Sequence, residues 1–176
     1  MKRFALTLIA AITALVAMSF TAPEADASTS KKLPAFEMKD LEERELRLTD
    51  DRFKGKKILV TAFGTWQQVS RDQAREIQKF HKANPDVEII AFVVESLPEA
   101  RDFVAQEGLT FPCYKCDGVT RIGSVFNRLF ETKKGKSINL NRLPFAILAD
   151  AERNVVWSDL GLSSADKLTA EVKKMK

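Results

Sequence analysis

Two long apolar runs, at residues 58–63 and 87–95, mark the centre of the predicted fold. Both are rich in β-branched residues, and such continuous runs are typical of strands that are covered on both faces. After the first run, Ala74, Ile77 and Phe80 recur at helical spacing with charged residues between them. This pattern predicts a helix with one buried stripe and one solvated face. The second run is followed by a similar pattern, so we expect two successive strand–helix units.

The ends of these helices carry signals of their own. The first helix is predicted to end near Asn84 and Pro85. The second begins at Ser96, which has capping-box spacing to Glu99 and a proline in the first turn that follows it. Gly108 is predicted to end this second helix, because glycine is favoured just beyond a helix C-terminus.

Shorter segments flank the two central units. Residues 33–41 and 45–49 are predicted to pair as an N-terminal hairpin, because the second of them alternates polar and apolar residues. The remaining segments are a helix at residues 120–130, a strand at 143–150, its antiparallel partner at 154–157 and a closing helix from about Ser164. This alternation predicts an α/β domain with a central mixed sheet and helices on both faces.

Length and charge narrow the class of protein. The chain has 176 residues, 45% of them hydrophobic, which suits one domain with a full core. Its 28 basic and 24 acidic residues leave a formal net charge of only +4. Nucleic-acid binding needs a basic surface interleaved with aromatic residues, and this mixed balance disfavours it.

The first 27 residues have the pattern of a secretory signal peptide. Lys2 and Arg3 precede an apolar segment at residues 4–20, and Ala25-Asp26-Ala27 supplies the small-x-small pattern of a cleavage site. The mature chain is then a linker at residues 28–32 and one domain at residues 33–176, in the periplasm or another extracytoplasmic space. The alternative is that the apolar segment is retained as a membrane anchor, although it is near the lower length limit for spanning.

Cleavage after Ala27 is a testable expectation. The exported protein should begin at Ser28 when its N-terminus is sequenced, because signal peptidases select small residues just before the cut. Mature protein that begins at Met1 would instead support the retained anchor.

The junction between the first core strand and its helix resembles the active site of thioredoxin-like proteins. The resemblance is to the exported TlpA/ResA-type thiol-disulfide oxidoreductases, whose strand ends in Thr-Trp-Cys-x-x-Cys-Arg. Thr65, Trp66 and Arg71 match this motif, but Gln67 and Ser70 stand where the family has its cysteines. A helix N-terminus stabilises a thiolate, and Arg71 is expected to add positive charge nearby. An amide and a hydroxyl have no dithiol chemistry, so the usual reaction is absent at this place.

The same resemblance implies further features around the junction. It implies a thioredoxin-like sandwich, a helix inserted after the second core strand and a short strand at residues 110–112. Leu143 and Pro144 correspond to the start of a strand that begins with a cis-proline, beside the surface where family members hold a substrate chain. Glu95 matches a carboxylate near the redox pair, or it is a charge at a helix entry. Trp66 either flanks this groove or belongs to the core.

Cys113 and Cys116 are the two cysteines of the chain and form a separate Cys-x-x-Cys. In an oxidising compartment they are a relocated redox pair, a structural disulfide or two reduced thiols. In an extended strand, residues i and i+3 lie roughly 10 Å apart on opposite faces, whereas a disulfide needs Cα atoms within about 7 Å. A bridge therefore requires a turn at residues 114–115. A zinc site would need two further ligands, which the sequence does not supply.

Two hypotheses for function follow from these patterns. The first is an exported thioredoxin-like protein without the usual dithiol, which acts as a binding or assembly module of the cell envelope. The alternative is a thiol-disulfide oxidoreductase that uses Cys113 and Cys116. The expected partners are other exported proteins, including a thiol-containing protein substrate in the second case. No cofactor, no metal, no nucleic acid and, after signal cleavage, no membrane is expected.

Overall fold

The computed structural model describes residues 31–116, 119–126, 129 and 143–175. The strands are β1 (Glu37–Asp40), β2 (Glu45–Arg47), β3 (Lys57–Gly64), β4 (Val87–Val94), β5 (Cys113–Cys116), β6 (Phe145–Ala149) and β7 (Val155–Leu160). The helices are α1 (Gln68–Ala83), α2 (Leu97–Gln106), α3 (Val119–Phe126) and α4 (Ala165–Lys174), with a short 3-10 helix at Asp51–Phe53 before β3. No helix among these described residues is long and apolar enough to cross a membrane.

The strands form one mixed sheet in the order β2-β1-β5-β4-β3-β6-β7. β3, β4 and β5 are parallel to one another, while β1, β2, β6 and β7 pair antiparallel with their neighbours. The carboxyl ends of the three parallel strands therefore lie at one edge of the sheet, where α1, α2 and α3 follow them. This is the edge at which ligands bind in open α/β sheets.

Each face of the sheet carries its own hydrophobic core. Side chains alternate along β3, so that Val60 belongs to one cluster and Leu59 to the other. Ile77 of α1, Phe103 of α2 and Leu168 of α4 cover the Leu59 face. Residues from α3 cover the Val60 face. Burial on both sides explains the continuous apolar runs of β3 and β4, and the predicted α/β domain is confirmed.

The N-terminal hairpin, the β6–β7 pair and the closing helix were also predicted correctly. β7 is longer than predicted, because it stays paired with β6 as far as Leu160. Ser164 caps α4, since its side chain accepts a hydrogen bond from the Lys167 N–H. The predicted helix at residues 120–130 extends in part outside the described residues.

One local prediction was wrong, and another was confirmed without the side-chain bond that its spacing suggests. The strand expected at residues 110–112 lies instead at Cys113–Cys116, because β5 aligns with β4 from Ala91 opposite Cys113 and Pro112 has no N–H to donate. Ser96 is the N-cap residue of α2, but its side chain makes no capping bond. Its hydroxyl donates to the Glu99 carboxylate instead, so the spacing of a capping box is present without its backbone bond.

Candidate functional site

The junction between β3 and α1 exposes a large aromatic side chain. Trp66 is 52% exposed, so it is a surface residue rather than part of the core. Its ring lies against the main chain of Gly64, where an added Cβ would be only 2.9 Å from a ring carbon. Glycine at this position therefore makes room for the tryptophan ring.

Gln67 and Ser70, which stand at the positions of the family cysteines, are joined by hydrogen bonds. The Ser70 hydroxyl is fully buried and donates to Gln67 Oε1 at 3.3 Å. It also accepts the Gly64 N–H at 3.0 Å. This chain of polar contacts fixes the first turn of α1 against the end of β3. Neither side chain can exchange disulfides.

The N-terminus of α1 keeps the electrostatic setting in which a thiolate is stabilised. Gln67 is the N-cap residue in an extended conformation, and its side chain makes no capping bond to the first turn. The unpaired N–H groups and the positive end of the helix dipole therefore face this position. The helix N-terminus that would stabilise a thiolate is therefore present, but positions 67 and 70 carry no thiol.

Arg71 is bound to α2 instead of serving the junction. Its guanidinium donates to Glu107 at 2.6 Å and lies over the Phe103 ring, 5.4 Å from the centroid. Glu107 is 4% exposed and also accepts from Arg75 at 2.9 Å. The Glu107 carboxylate, which Arg71 shares with Arg75, therefore offsets part of the positive charge that was expected beside position 67. The role of Arg71 here is to tie α1 to the inserted helix.

Glu95 lies next to the junction, at the end of β4. Its carboxylate accepts a hydrogen bond of 2.8 Å from the Thr65 hydroxyl and one of 3.2 Å from the Ser96 N–H. The first bond places the carboxylate beside the residue that precedes Trp66. The second places it at the entry to α2. Glu95 therefore lies both beside the junction and at a helix entry, which are the two places expected for it from the sequence.

The Leu143–Pro144 peptide bond is cis, as the resemblance implied. β6 runs antiparallel to β3 with Phe145 opposite Ala62, which brings this bond beside the end of β3. The Leu143 side chain is 4% exposed and belongs to the core. Leu143 and Pro144 are therefore both buried at this edge.

The loop after β7 completes this surface. The Pro144 carbonyl accepts the Gly161 N–H at 2.8 Å, and Gly161 adopts a φ of 101° that favours glycine. The next residue, Leu162, is 51% exposed. Gln73 of α1 fixes the loop from the other side, because its buried amide binds both the N–H and the carbonyl of Ser163, at 2.6 and 3.2 Å.

The described residues expose four large hydrophobic side chains, namely Trp66, Val69, Val156 and Leu162. Three of them, Trp66, Val69 and Leu162, belong to segments that meet around Pro144, and we call these three the junction patch. Trp66 was predicted from the sequence, whereas Val69, Leu162 and the supporting Gln73 were not. A weak signal was present, since Leu162 is an apolar residue between a glycine and two serines in a loop.

The structure does not bring Cys113 and Cys116 together. Both lie in β5, which continues through residues 114–115 without the turn that a bridge requires. Cys113 belongs to the core on the α1 face and Cys116 to the core on the α3 face, and neither forms a disulfide. Burial raises the pKa of the Cys113 thiol to about 12. Of the three alternatives, the geometry favours two reduced, buried thiols.

The raised pKa of the Cys113 thiol predicts that this thiol is alkylated slowly. At pH 8.5, a thiol with a pKa near 12 carries roughly a thousandfold less thiolate than an unfolded cysteine, whose pKa is about 8.5. Alkylation of Cys113 by iodoacetamide should be slower by about this factor in the native protein than in guanidinium, as measured by mass spectrometry of the peptides. Equal rates in the two states would contradict the buried placement of Cys113.

No metal centre is evident in the part of the chain that the structure describes, where no group of three or more His, Cys, Asp or Glu side chains is arranged to hold an ion.

Comparison with known proteins gives the family. The Redoxin family model matches residues 28–175. The thiol-disulfide oxidoreductases ResA of Bacillus thuringiensis (strain Al Hakam) and Bacillus anthracis are each 26% identical over 159 residues, which cover 89% of this chain and 83% of theirs.

Solved structures give the same fold. A DsbF homologue from Corynebacterium diphtheriae has a TM-score of 0.69 at 18% identity and covers 89% of this chain and 98% of its own. A thiol:disulfide interchange protein of the thioredoxin family from Chlorobium tepidum TLS has a TM-score of 0.67 at 20% identity, over 82% and 94%. A secreted disulfide oxidoreductase from Mycobacterium tuberculosis has a TM-score of 0.60 at 15% identity, over 80% and 96%. The fold is therefore thioredoxin-like, and the chain belongs to the Redoxin family.

Proposed function

We propose that this chain is an exported, non-catalytic thioredoxin-like protein that binds an extended segment of another exported protein at the junction patch. The observation that carries this proposal is that Trp66, Val69 and Leu162 are exposed on segments that meet around Pro144, beside a Gln67–Ser70 pair that is joined by a hydrogen bond. An exposed apolar patch on a monomeric protein often marks an interaction site. In this proposal, Gln67 and Ser70 take the place of the two cysteines, and the junction patch serves as the binding surface.

The form of the surface supports an extended partner. Trp66 and Leu162 lie on different segments of the chain, so a partner segment that contacts both must extend across the junction. Trp66 and Leu162 then contact alternate side chains of that segment, which favours apolar residues at those positions. Because position 67 holds an amide, the partner is bound without a mixed disulfide and needs no cysteine.

Export is part of the same proposal. It is supported by the basic and apolar pattern of residues 1–27 and by likeness to a protein described as secreted. The alternative function, disulfide exchange by Cys113 and Cys116, has no support from the geometry. It would require β5 to separate from β1 and β4, between which it lies.

Site-specific photocrosslinking tests the binding surface. A benzophenone amino acid at Val69, in the junction patch, should give discrete adducts with other exported proteins in the native host. The same substitution at Val156, which is 46% exposed on β7, is the matched control and should give few. Equal adducts from both positions, or none from Val69, would contradict the proposal.

Gly64→Ala should weaken the adducts formed from Val69. The added Cβ would lie 2.9 Å from the Trp66 ring, so the ring must leave its place on the surface. The protein should stay folded, because the ring is exposed and free to move outward, and circular dichroism would check this. Undiminished adducts in folded Gly64→Ala would show that the position of Trp66 does not matter for binding.

A further inference from the structure

A cavity lies on the opposite face of the sheet from α1. It has a volume of about 270 Å³ and lies between the inner face of the β1–β2 hairpin, the end of β5 and α3. We call it the hairpin pocket. Its lining includes none of the residues of the junction patch, so it is separate from the proposed binding surface.

Three phenylalanines form one side of the hairpin pocket. Phe36, Phe92 and Phe126 are in mutual contact, with ring centroids 5.8, 5.2 and 6.1 Å apart. The Phe36–Phe126 pair is edge-to-face, and the other two pairs are tilted. Aromatic rings favour such arrangements over face-to-face stacking, and a further ring can join the cluster in the same way.

Aliphatic side chains form the rest of the apolar lining. Met38 and Leu46 face the pocket from the hairpin, since both pack in the same core as the three phenylalanines. Ile122 and Val125 line it from α3. A dry cavity of about 150 Å³ lined by such residues is large enough for benzene. The hairpin pocket is larger, so its size suits one or two fused rings.

The charged residues of the lining balance one another. The positive residues are Lys39, Arg47 and Lys115, and the negative residues are Glu37, Glu43 and Glu45. Lys39 lies 3.7 Å from Glu45, and Arg47 lies 3.1 Å from Glu37. The lining residues that the structure describes carry no net formal charge, and burying a charge beside the phenylalanines would be costly.

From these contacts we infer that the hairpin pocket binds a small, uncharged aromatic molecule of one or two rings. The aromatic cluster supplies edge-to-face contacts, the volume sets the size, and the cost of burying a charge beside the phenylalanines disfavours an ion. This binding is independent of the junction patch, so either site can be present without the other.

Indole is a suitable probe, and its binding can be followed by amide chemical shifts of the full protein. Saturable shifts should appear in β1, β2 and α3 and should be absent from α1. Indole-3-carboxylate, which has the same rings and a negative charge, should bind at least about tenfold more weakly. Absence of saturable shifts, shifts confined to other elements, or tighter binding of the carboxylate would overturn the inference.

A pair of matched variants tests the location. Val125→Phe fills the pocket and should abolish the indole shifts, whereas Val156→Phe adds the same ring at an exposed site on β7 and should leave them unchanged. If Val125→Phe is folded and binds indole as the parent does, the inference is wrong. If it does not fold, the shift map of the parent decides, because that map alone locates the bound indole.

Discussion

Replacing Gln67 and Ser70 together by cysteine is expected to create thiol-disulfide exchange activity at the start of α1. The introduced pair would lie at the N-terminus of α1, where unpaired N–H groups and the helix dipole stabilise a thiolate. The thiol at position 67 should titrate well below about pH 8.5, the value for a free cysteine. A pKa near 7 would raise its thiolate fraction at neutral pH roughly tenfold. Insulin reduction and the pH dependence of iodoacetamide labelling measure the two effects.

The single variant Gln67→Cys is the matched control. It has the same activated thiol but no second thiol to resolve a mixed disulfide, so it should be alkylated quickly without turning over substrate. Because Arg71 is paired with Glu107, the lowering of the pKa is expected to come mainly from the helix itself. Arg71→Gln in the double variant should therefore leave that pKa nearly unchanged. A position-67 thiol that titrates like a free cysteine would show that this junction is not a thioredoxin-type helix start.

Gln73→Ala is expected to be among the most destabilising polar substitutions in the chain. It removes the amide that binds both the N–H and the carbonyl of Ser163, and all of these groups are fully buried. Each buried group left without a partner costs about 1–3 kcal/mol, so the free energy of unfolding should fall by roughly 2–5 kcal/mol. Urea denaturation followed by circular dichroism measures this loss.

Gln78→Ala is the control for that prediction. Gln78 also lies on α1 and also makes two hydrogen bonds to another segment, both with Thr110 at 2.8 Å, but these bonds are exposed to solvent. Water replaces them, so the loss should stay below about 1 kcal/mol. Equal losses for the two glutamines would show that burial of the Gln73 amide does not govern its contribution.

The central strands were predictable because their pattern is local and strong. β3 and β4 are buried on both faces, and a continuous apolar run records that burial directly in the sequence. The start of β5 was not predictable in this way, since its register is set by contacts with β4, which come from a distant part of the chain. The cis bond before Pro144 came from the resemblance to a family and not from the residues alone.

The candidate site was predictable only in its local part. The motif around Trp66 fixed the junction, but Arg71 was assigned by its place in that motif, and its partner Glu107 is 36 residues away. Leu162 and Gln73 belong to the site because the loop after β7 folds back onto Pro144 and α1. Contacts of this kind depend on the tertiary fold, and no pattern near either residue announces them.

We propose that this protein binds its partner through the junction patch without thiol chemistry. The most direct test is photocrosslinking from Val69 in a variant without cysteines, Cys113→Ala with Cys116→Ala. We expect the same adducts as in the parent. We also expect the complex with the partner to stay intact when dithiothreitol is added before irradiation. Loss of the adducts in the cysteine-free variant, or dissociation of the complexes on reduction, would contradict binding without thiol chemistry.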